Sequence, residues 1–147
     1  MKQLSYRTQF VSKLVHQKEW YIVNAENQTV GRICTEIAKI LMGKHKPSFT
    51  PNDDAGDYVI VINSSKAVFT GRKWTQKIYL RHTGYPGGQR MIAARDLNVK
   101  KPTSVIETAV KGMLPKSKLG RAMFKKLFVY ESAVHPHTAQ KPTEIKF

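Results

Sequence analysis

The sequence predicts an α/β fold, a three-layer α/β/α single domain on a mainly parallel sheet, with a basic N-terminal extension and an extended C-terminal tail. Three observations carry this expectation. Apolar residues at Val30, Ile33, Cys34, Ile37, Ala38 and Leu41 follow the i, i+3, i+4, i+7 spacing of an amphipathic helix. The run Asp57-Tyr58-Val59-Ile60-Val61-Ile62-Asn63 is continuously apolar between turn formers, as a strand covered on both faces must be. Strand-like and helix-like stretches then keep alternating, the order that places helices on the faces of a parallel sheet.

Taken along the chain, Trp20–Val23 is a short β-rich run and Asn24-Ala25-Glu26-Asn27 supplies the turn after it. The first helix has Thr29 as its N-cap and Gly43 as its stop, with Arg32, Glu36 and Lys39 on the outward face. After the Tyr58 strand, Lys77–Arg81 reads as a further strand. Val105, Ile106, Ala109, Val110, Met113 and Leu114 form a second helical stripe that Pro115 ends. Leu119–Leu127 reads as a short third helix, followed by the strand-like Phe128-Val129-Tyr130. Beyond Glu131 there is no apolar periodicity. The expected organisation is therefore an extension over 1–18, the α/β domain over 19–131 and a tail over 132–147.

The 147 residues carry 25 Lys+Arg against 10 Asp+Glu, a formal charge of +15, with 41% apolar residues, two Trp, six Tyr and six Phe. That apolar content supports one core and argues against disorder over the whole length. A compact domain at +15 repels itself unless a polyanion is its normal surrounding, and nucleic acid is the class that fits. A lone cysteine, Cys34, excludes an internal disulfide and four-cysteine zinc sites, and points to a reducing compartment. The longest apolar run falls far short of the ~20 residues of a membrane span. The stretch from Met1 to Lys18 holds Lys2, Arg7, Lys13 and Lys18 with no acid, and lacks the apolar block of a secretory signal.

The charge is localised. Between Asp57 and Asp96 there is no acid, but there are Lys66, Arg72, Lys73, Lys77, Arg81, Arg90 and Arg95. A second acid-free window, Thr108–Tyr130, holds Lys111, Lys116, Lys118, Arg121, Lys125 and Lys126. Ordinary solvated surfaces mix both signs, so single-sign windows point to phosphate contact with counterion release. The first window interleaves Trp74, Tyr79 and His82 with the loop Gly84-Tyr85-Pro86-Gly87-Gly88, where bare backbone can approach phosphate and planar side chains can stack on unpaired bases. Its order matches neither GxGxxG nor a Walker sequence. In the second window, Pro115 separates two helices and leaves Lys116, Lys118 and Arg121 around the next helix start.

Signals for catalysis are weak. Cys34 sits on the apolar face of a helix, as a packed thiol does. Asp53, Asp54 and Asp57 lack the later Glu and the alternation of a calcium loop; they read as turn-orienting carboxylates or partners for Lys44 and Lys46. His135 and His137, with His82, offer zinc no fixed third ligand. No catalytic residue, metal or cofactor is expected.

From Trp20 to about Pro142 the chain resembles the bacterial large-subunit ribosomal protein L-thirteen family. The matching blocks include Trp20–Ala25, Thr29-Val30-Gly31-Arg32, Gly43-Lys44-His45-Lys46, Thr50-Pro51 and Gly56–Asn63. They continue through Thr70-Gly71-Arg72-Lys73, Tyr79, His82-Thr83-Gly84, Gly87-Gly88, Val110–Pro115, Gly120–Phe124, His135-Pro136-His137 and Ala139-Gln140. Asn24 stands where the family commonly has Asp, and the stretch before Trp20 is longer than in compact members. The resemblance implies a non-enzymatic constituent of the large (50S) subunit that binds 23S rRNA, acts early in assembly and touches neighbouring large-subunit proteins. By position it places RNA contacts on Gly43–Lys46, Thr70–Lys73, Arg81–Gly88 and Lys116–Arg121.

Together the windows and the resemblance make Lys44, His45, Lys46, Arg72, Lys73, Lys77, Arg81, His82, Gly84, Gly87, Gly88, Arg90, Lys116, Lys118, Arg121, Lys125 and Lys126 the expected RNA-binding residues. The expected location is the cytoplasm, in the ribosome, an organellar ribosome being the variant. No membrane, small-molecule substrate or independent homo-oligomer is expected. A nucleic-acid-modifying enzyme would need a polar cluster in a cleft beside the basic surface. A peripheral membrane protein would need a Lys-rich helix face, yet Glu36 and Glu107 interrupt both candidate faces. A free regulator that represses its own messenger is the alternative that shares the same chemistry.

Overall fold

The computed structural model describes residues 17–147; the expected N-terminal extension lies outside them, apart from Gln17 and Lys18. Four strands, β1 (Trp20–Asn24), β2 (Tyr58–Ile62), β5 (Leu127–Val129) and β6 (Thr143–Ile145), form one sheet in the order β5-β2-β1-β6. All its pairings are parallel, with Trp20 opposite Tyr58 and Val59 opposite Leu127. The α/β class and the parallel sheet are as the sequence predicts.

Helix α1 (Val30–Met42) buries the expected stripe, Val30, Ile33, Cys34, Ile37, Ala38 and Leu41. It ends at Gly43, whose N–H bonds the Ile40 carbonyl while Lys44 N–H reaches Lys39, the paired closure of a Schellman cap. Thr29 occupies the N-cap without capping by its side chain; its backbone is bridged to Val68 instead. The steps β1→β2 and β2→β5 run in the same direction across the sheet, and right-handed crossovers then put their helices on one face. Accordingly α4 (Pro102–Met113) packs on α1, and α5 (Lys118–Phe124) touches α1 as well. Val23, Val59 and Val61 from the sheet meet Ile37, Leu41, Val105, Ile106 and Val110 in one core.

The alternate residues of the same strands face the other way. Trp20 stacks on Tyr58 with ring centroids 4.4 Å apart, and Phe128 lies beside it. The outer layer on this face is thin: His137 covers Trp20 and Phe128, held by a 2.8 Å hydrogen bond with the Tyr130 hydroxyl. The chain then makes a single 3-10 turn, Thr138–Gln140, and returns as β6 beside β1. So the tail, extended as expected, also supplies the sheet's edge strand.

Between β2 and α4 the chain leaves the sheet. A short helix α2 (Lys73–Gln76) leads into an antiparallel hairpin of β3 (Ile78–His82) and β4 (Gln89–Ala93), followed by α3 (Ala94–Lys100) on α4. Of these the sequence anticipated β3 only; β4 is short and mostly exposed, and its pairing with β3 rather than its own pattern makes it a strand.

The foot of the sheet is polar. Asp57, fully buried, accepts hydrogen bonds from Glu19 N–H (2.9 Å), His45 Nε2 (2.7 Å) and Lys46 Nζ. Asp54 accepts from Lys18 (3.0 Å) and from Lys126, whose ammonium also donates to the Gly56 (2.7 Å) and Leu41 (3.3 Å) carbonyls. A Cβ at Gly56 would lie 1.8 Å from the Leu41 oxygen and 2.8 Å from Lys126 Nζ, so this close approach requires glycine. Burial works to raise the Asp54 carboxyl, but hydrogen bonds and charge from Lys126 and Lys18 outweigh it and leave the group below its ordinary value.

Breaking a buried ion pair from one side strands the other charge, at about 3–5 kcal/mol. Lys126→Ala is therefore expected to lower stability by about that amount in urea unfolding, while Lys125→Ala, at the exposed neighbour, stays within about 0.5 kcal/mol. Because Asp54 is held below its ordinary 3.8, the stability it contributes is complete above that value and drains away as pH falls through the folded value. Asp54→Asn should remove that part of the acid dependence.

Candidate nucleic-acid interface

The hairpin of β3 and β4 carries two basic side chains, Arg81 and Arg90, and no acidic one. Strand alternation puts Tyr79 and Arg81 on one face, and the register sets Arg81 directly opposite Arg90 and Tyr79 opposite Ile92. Like charges directly opposite one another destabilise a strand pair. Both arginines are exposed, and neither forms an ion pair with another described residue. The other hairpin face is apolar and open, with Leu80 opposite Met91 and Ile78 nearby.

Loop 83–88 closes the hairpin. Thr83 N–H bonds the Gly88 carbonyl and Gly88 N–H bonds Tyr85, while Gly84 and Gly87 take φ of +94° and +70°, where glycine is favoured. His82 braces the turn, its Nδ1 accepting from Gly84 N–H at 2.9 Å. Tyr85 projects from the tip, 76% exposed. A neutral imidazole with Nδ1 as acceptor keeps its proton on Nε2. Backbone, a planar ring and two arginines thus share one projecting element.

Arg72, Lys73 and Lys77 lie on and beside α2, all exposed and without an ion pair to a described residue. The Lys77 ammonium stands 5.4 Å from the centre of the Tyr79 ring. At the α4–α5 junction, Lys116, Lys118, Arg121 and Lys125 are exposed and likewise unpaired with described residues. Here Ser117 caps α5, its hydroxyl accepting Gly120 N–H at 3.3 Å, so one of the helix's free donors is already satisfied.

Three of the expected residues are placed otherwise. Lys126 is only 4% exposed and its ammonium is enclosed by Asp54 and two carbonyls, which removes it from the surface. Lys46 turns inward to Asp57 and the Gln17 carbonyl. His45 gives Nε2 to Asp57 while 32% of its side chain stays exposed. Lys44 remains the exposed cation of that segment, and Asp54 and Asp57 pair with Lys18, Lys126 and Lys46 rather than with Lys44. Lys66, from the first basic window, pairs with Glu26 at 2.7 Å.

One basic residue emerges that the charge windows passed over. Arg32, in the first turn of α1, is exposed and joins Lys73 and Lys77 around one cleft. Its outward helical position was legible, but its proximity to α2 depends on tertiary packing. Burial pushes the Cys34 thiol up to about 12, and no group of three His, Cys, Asp or Glu gathers for a metal among the described residues. No helix of the described residues is long and apolar enough to cross a membrane.

Comparison with known proteins gives the same family over most of the chain. The family model described as "Ribosomal protein L13" matches residues 18–136. The protein named large ribosomal subunit protein uL13 of Dictyoglomus thermophilum is 57% identical over 129 residues, 88% of this chain and 91% of the relative. Its namesake in Thermosipho africanus is 51% identical over 141 residues, 96% of this chain and 95% of the relative. That of Pseudomonas savastanoi pv. phaseolicola is 56% identical over 131 residues, 89% and 92% respectively. The match takes in β1, α1, the hairpin and the α4–α5 junction, and the chain belongs to the ribosomal protein L13 family.

Proposed function

We propose that the chain is a structural, non-enzymatic constituent of the large ribosomal subunit that binds and stabilises 23S rRNA and joins the particle early in its assembly. One observation carries the reading: Arg81 and Arg90 face each other across an exposed hairpin without a described carboxylate to offset them. An isolated domain gains nothing from that arrangement, whereas a phosphate between the two side chains turns the repulsion into attraction. Relatives are named large ribosomal subunit proteins, and the RNA of that subunit is the polyanion proposed here.

The contacts proposed are Lys44, Arg72, Lys73, Lys77, Arg81, Arg90, Lys116, Lys118, Arg121 and Lys125 on phosphate. His45, His82 and the backbone of Gly84, Gly87 and Gly88 serve as shorter-range contacts. Most of these groups read backbone rather than base edges, so they fix position more than sequence. Neighbouring large-subunit proteins complete the partners, and the site of action is the ribosome in the cytoplasm.

The direct experiment is sucrose-gradient sedimentation of a lysate, following the chain with an antibody. At low salt it should travel with the large-subunit peak; a chain left at the top of the gradient would contradict the proposal. A second expectation concerns the hairpin. Arg81→Ala with Arg90→Ala should leave the free protein as stable or slightly more so, because a like-charge pair is gone. Its binding to protein-free large-subunit RNA should show a log K against log salt slope shallower by about 2. An unchanged slope would mean that these arginines do not meet phosphate.

A further inference from the structure

A cleft of 640 Å³ opens between α1, α2, β3 and α4. Its walls include Phe69, Tyr79 and Met113, and its cationic groups are Arg32, Lys73 and Lys77; no carboxylate is among its described lining residues. Phe69 is braced edge-on by Trp74, with centroids 5.0 Å apart and planes at 79°, and Tyr79 is half-buried with Lys77 over its ring. The volume lies in the range of ligand sites, about 300–1,000 Å³. Three cations around an apolar and aromatic floor suit a ligand that is flat and apolar in its middle and anionic at its edges. A neutral side chain from a protein would leave the cations without counter-charge. An acidic one would leave the aromatic floor uncovered.

The cleft is continuous with the hairpin's basic face. Tyr79 sits two residues before Arg81 on the same side of β3, and Arg81 faces Arg90. A strand whose phosphates lie on the arginines reaches the cleft within the next residues of its path. We propose that the cleft holds one unstacked nucleotide of the bound RNA, its base against Phe69, Tyr79 and Met113 and its flanking phosphates on Arg32, Lys73 and Lys77. This inference rests on the RNA-binding reading above and adds to it a site selective for unpaired nucleotides. A base held in a duplex cannot enter, so the site distinguishes a bulge or loop from a continuous helix.

The test compares a fully paired RNA hairpin with the same hairpin carrying one bulged uridine, each titrated with the full-length protein. The wild-type chain should prefer the bulged RNA by about tenfold, in keeping with one base stacked on aromatic side chains. A Cβ at Gly112, on the cleft wall, meets no atom within 4 Å, so Gly112→Phe can fill the cleft from a permissive position. That variant should bind both hairpins alike, with the affinity for the paired one and its salt dependence unchanged. Tyr79→Leu should lose the preference and Tyr79→Phe keep it; this pair decides the matter if Gly112→Phe fails to fold. Equal wild-type binding to both RNAs, or a preference that survives in Gly112→Phe or Tyr79→Leu, would overturn the cleft proposal while leaving RNA binding intact. Failure to bind either RNA would instead overturn the RNA-binding reading.

Discussion

Two carboxylates, Asp54 and Asp57, are buried at the foot of the parallel sheet, and the rest of the structure is arranged around their demand for cations and N–H groups. Asp57 takes the Glu19 amide at the start of β1 and both His45 and Lys46 from the segment after α1. Asp54 takes Lys126, immediately before β5, and Lys18, which precedes β1. The beginnings of three adjacent strands and the end of α1 are thereby tied to one short segment, 54–57, which itself leads into β2. Such a cluster adds little over a well-packed apolar alternative, yet losing one partner leaves a charge with no solvent to replace it. Its structural effect is to specify which strand ends lie together. The helix-facing residues of the central strands, Val23, Val59 and Val61, are alike and do this poorly by themselves.

The same cluster shapes the surface. Acids are scarce in this chain, and several are already committed: Asp54 and Asp57 inside, Glu36 to Lys39, and Glu26 to Lys66. The cations of the hairpin, of α2 and of the α4–α5 junction are left exposed without carboxylates among the described residues. In isolation this is an unfavourable field that salt screens only in part. Against the RNA proposed as partner, the same field would favour association through counterion release. A paired core and an unpaired basic surface are thus two results of one distribution of ten acids.

Elements governed by local pattern were legible in the sequence. Helix α1 shows its face through spacing and its end through Gly43, and β2 shows double coverage through five consecutive apolar residues. Elements that exist by virtue of partners were not. Gln89–Ala93 is a strand because Ile78–His82 lies alongside, and Thr143–Ile145 because β1 offers a free edge. For the candidate site, the basic windows picked out residues that are exposed on the hairpin and at the helix junction, Arg81, Arg90, Lys116 and Lys118. Lys126 and Lys66 from the windows, and Lys46 from the resemblance, instead meet carboxylates 72, 40 and 11 residues away in sequence. A charge window sees only neighbours along the chain, whereas ion pairs form across it. Asn24, where the resemblance leads one to expect Asp, is held by neutral hydrogen bonds, its Oδ1 accepting from Asn63 Nδ2 and from Glu26 N–H.

The central claim is that buried carboxylates claim some lysines and leave others for RNA. Lysine acylation footprinting, read by mass spectrometry on the free protein and on intact large subunits, tests it most directly. Lys126 should resist the reagent in both states, while Lys73, Lys77, Lys116, Lys118 and Lys125 should react in the free protein and be protected in the particle. A reactive Lys126 in the folded free protein, or equal reactivity of the other five in both states, would contradict the account.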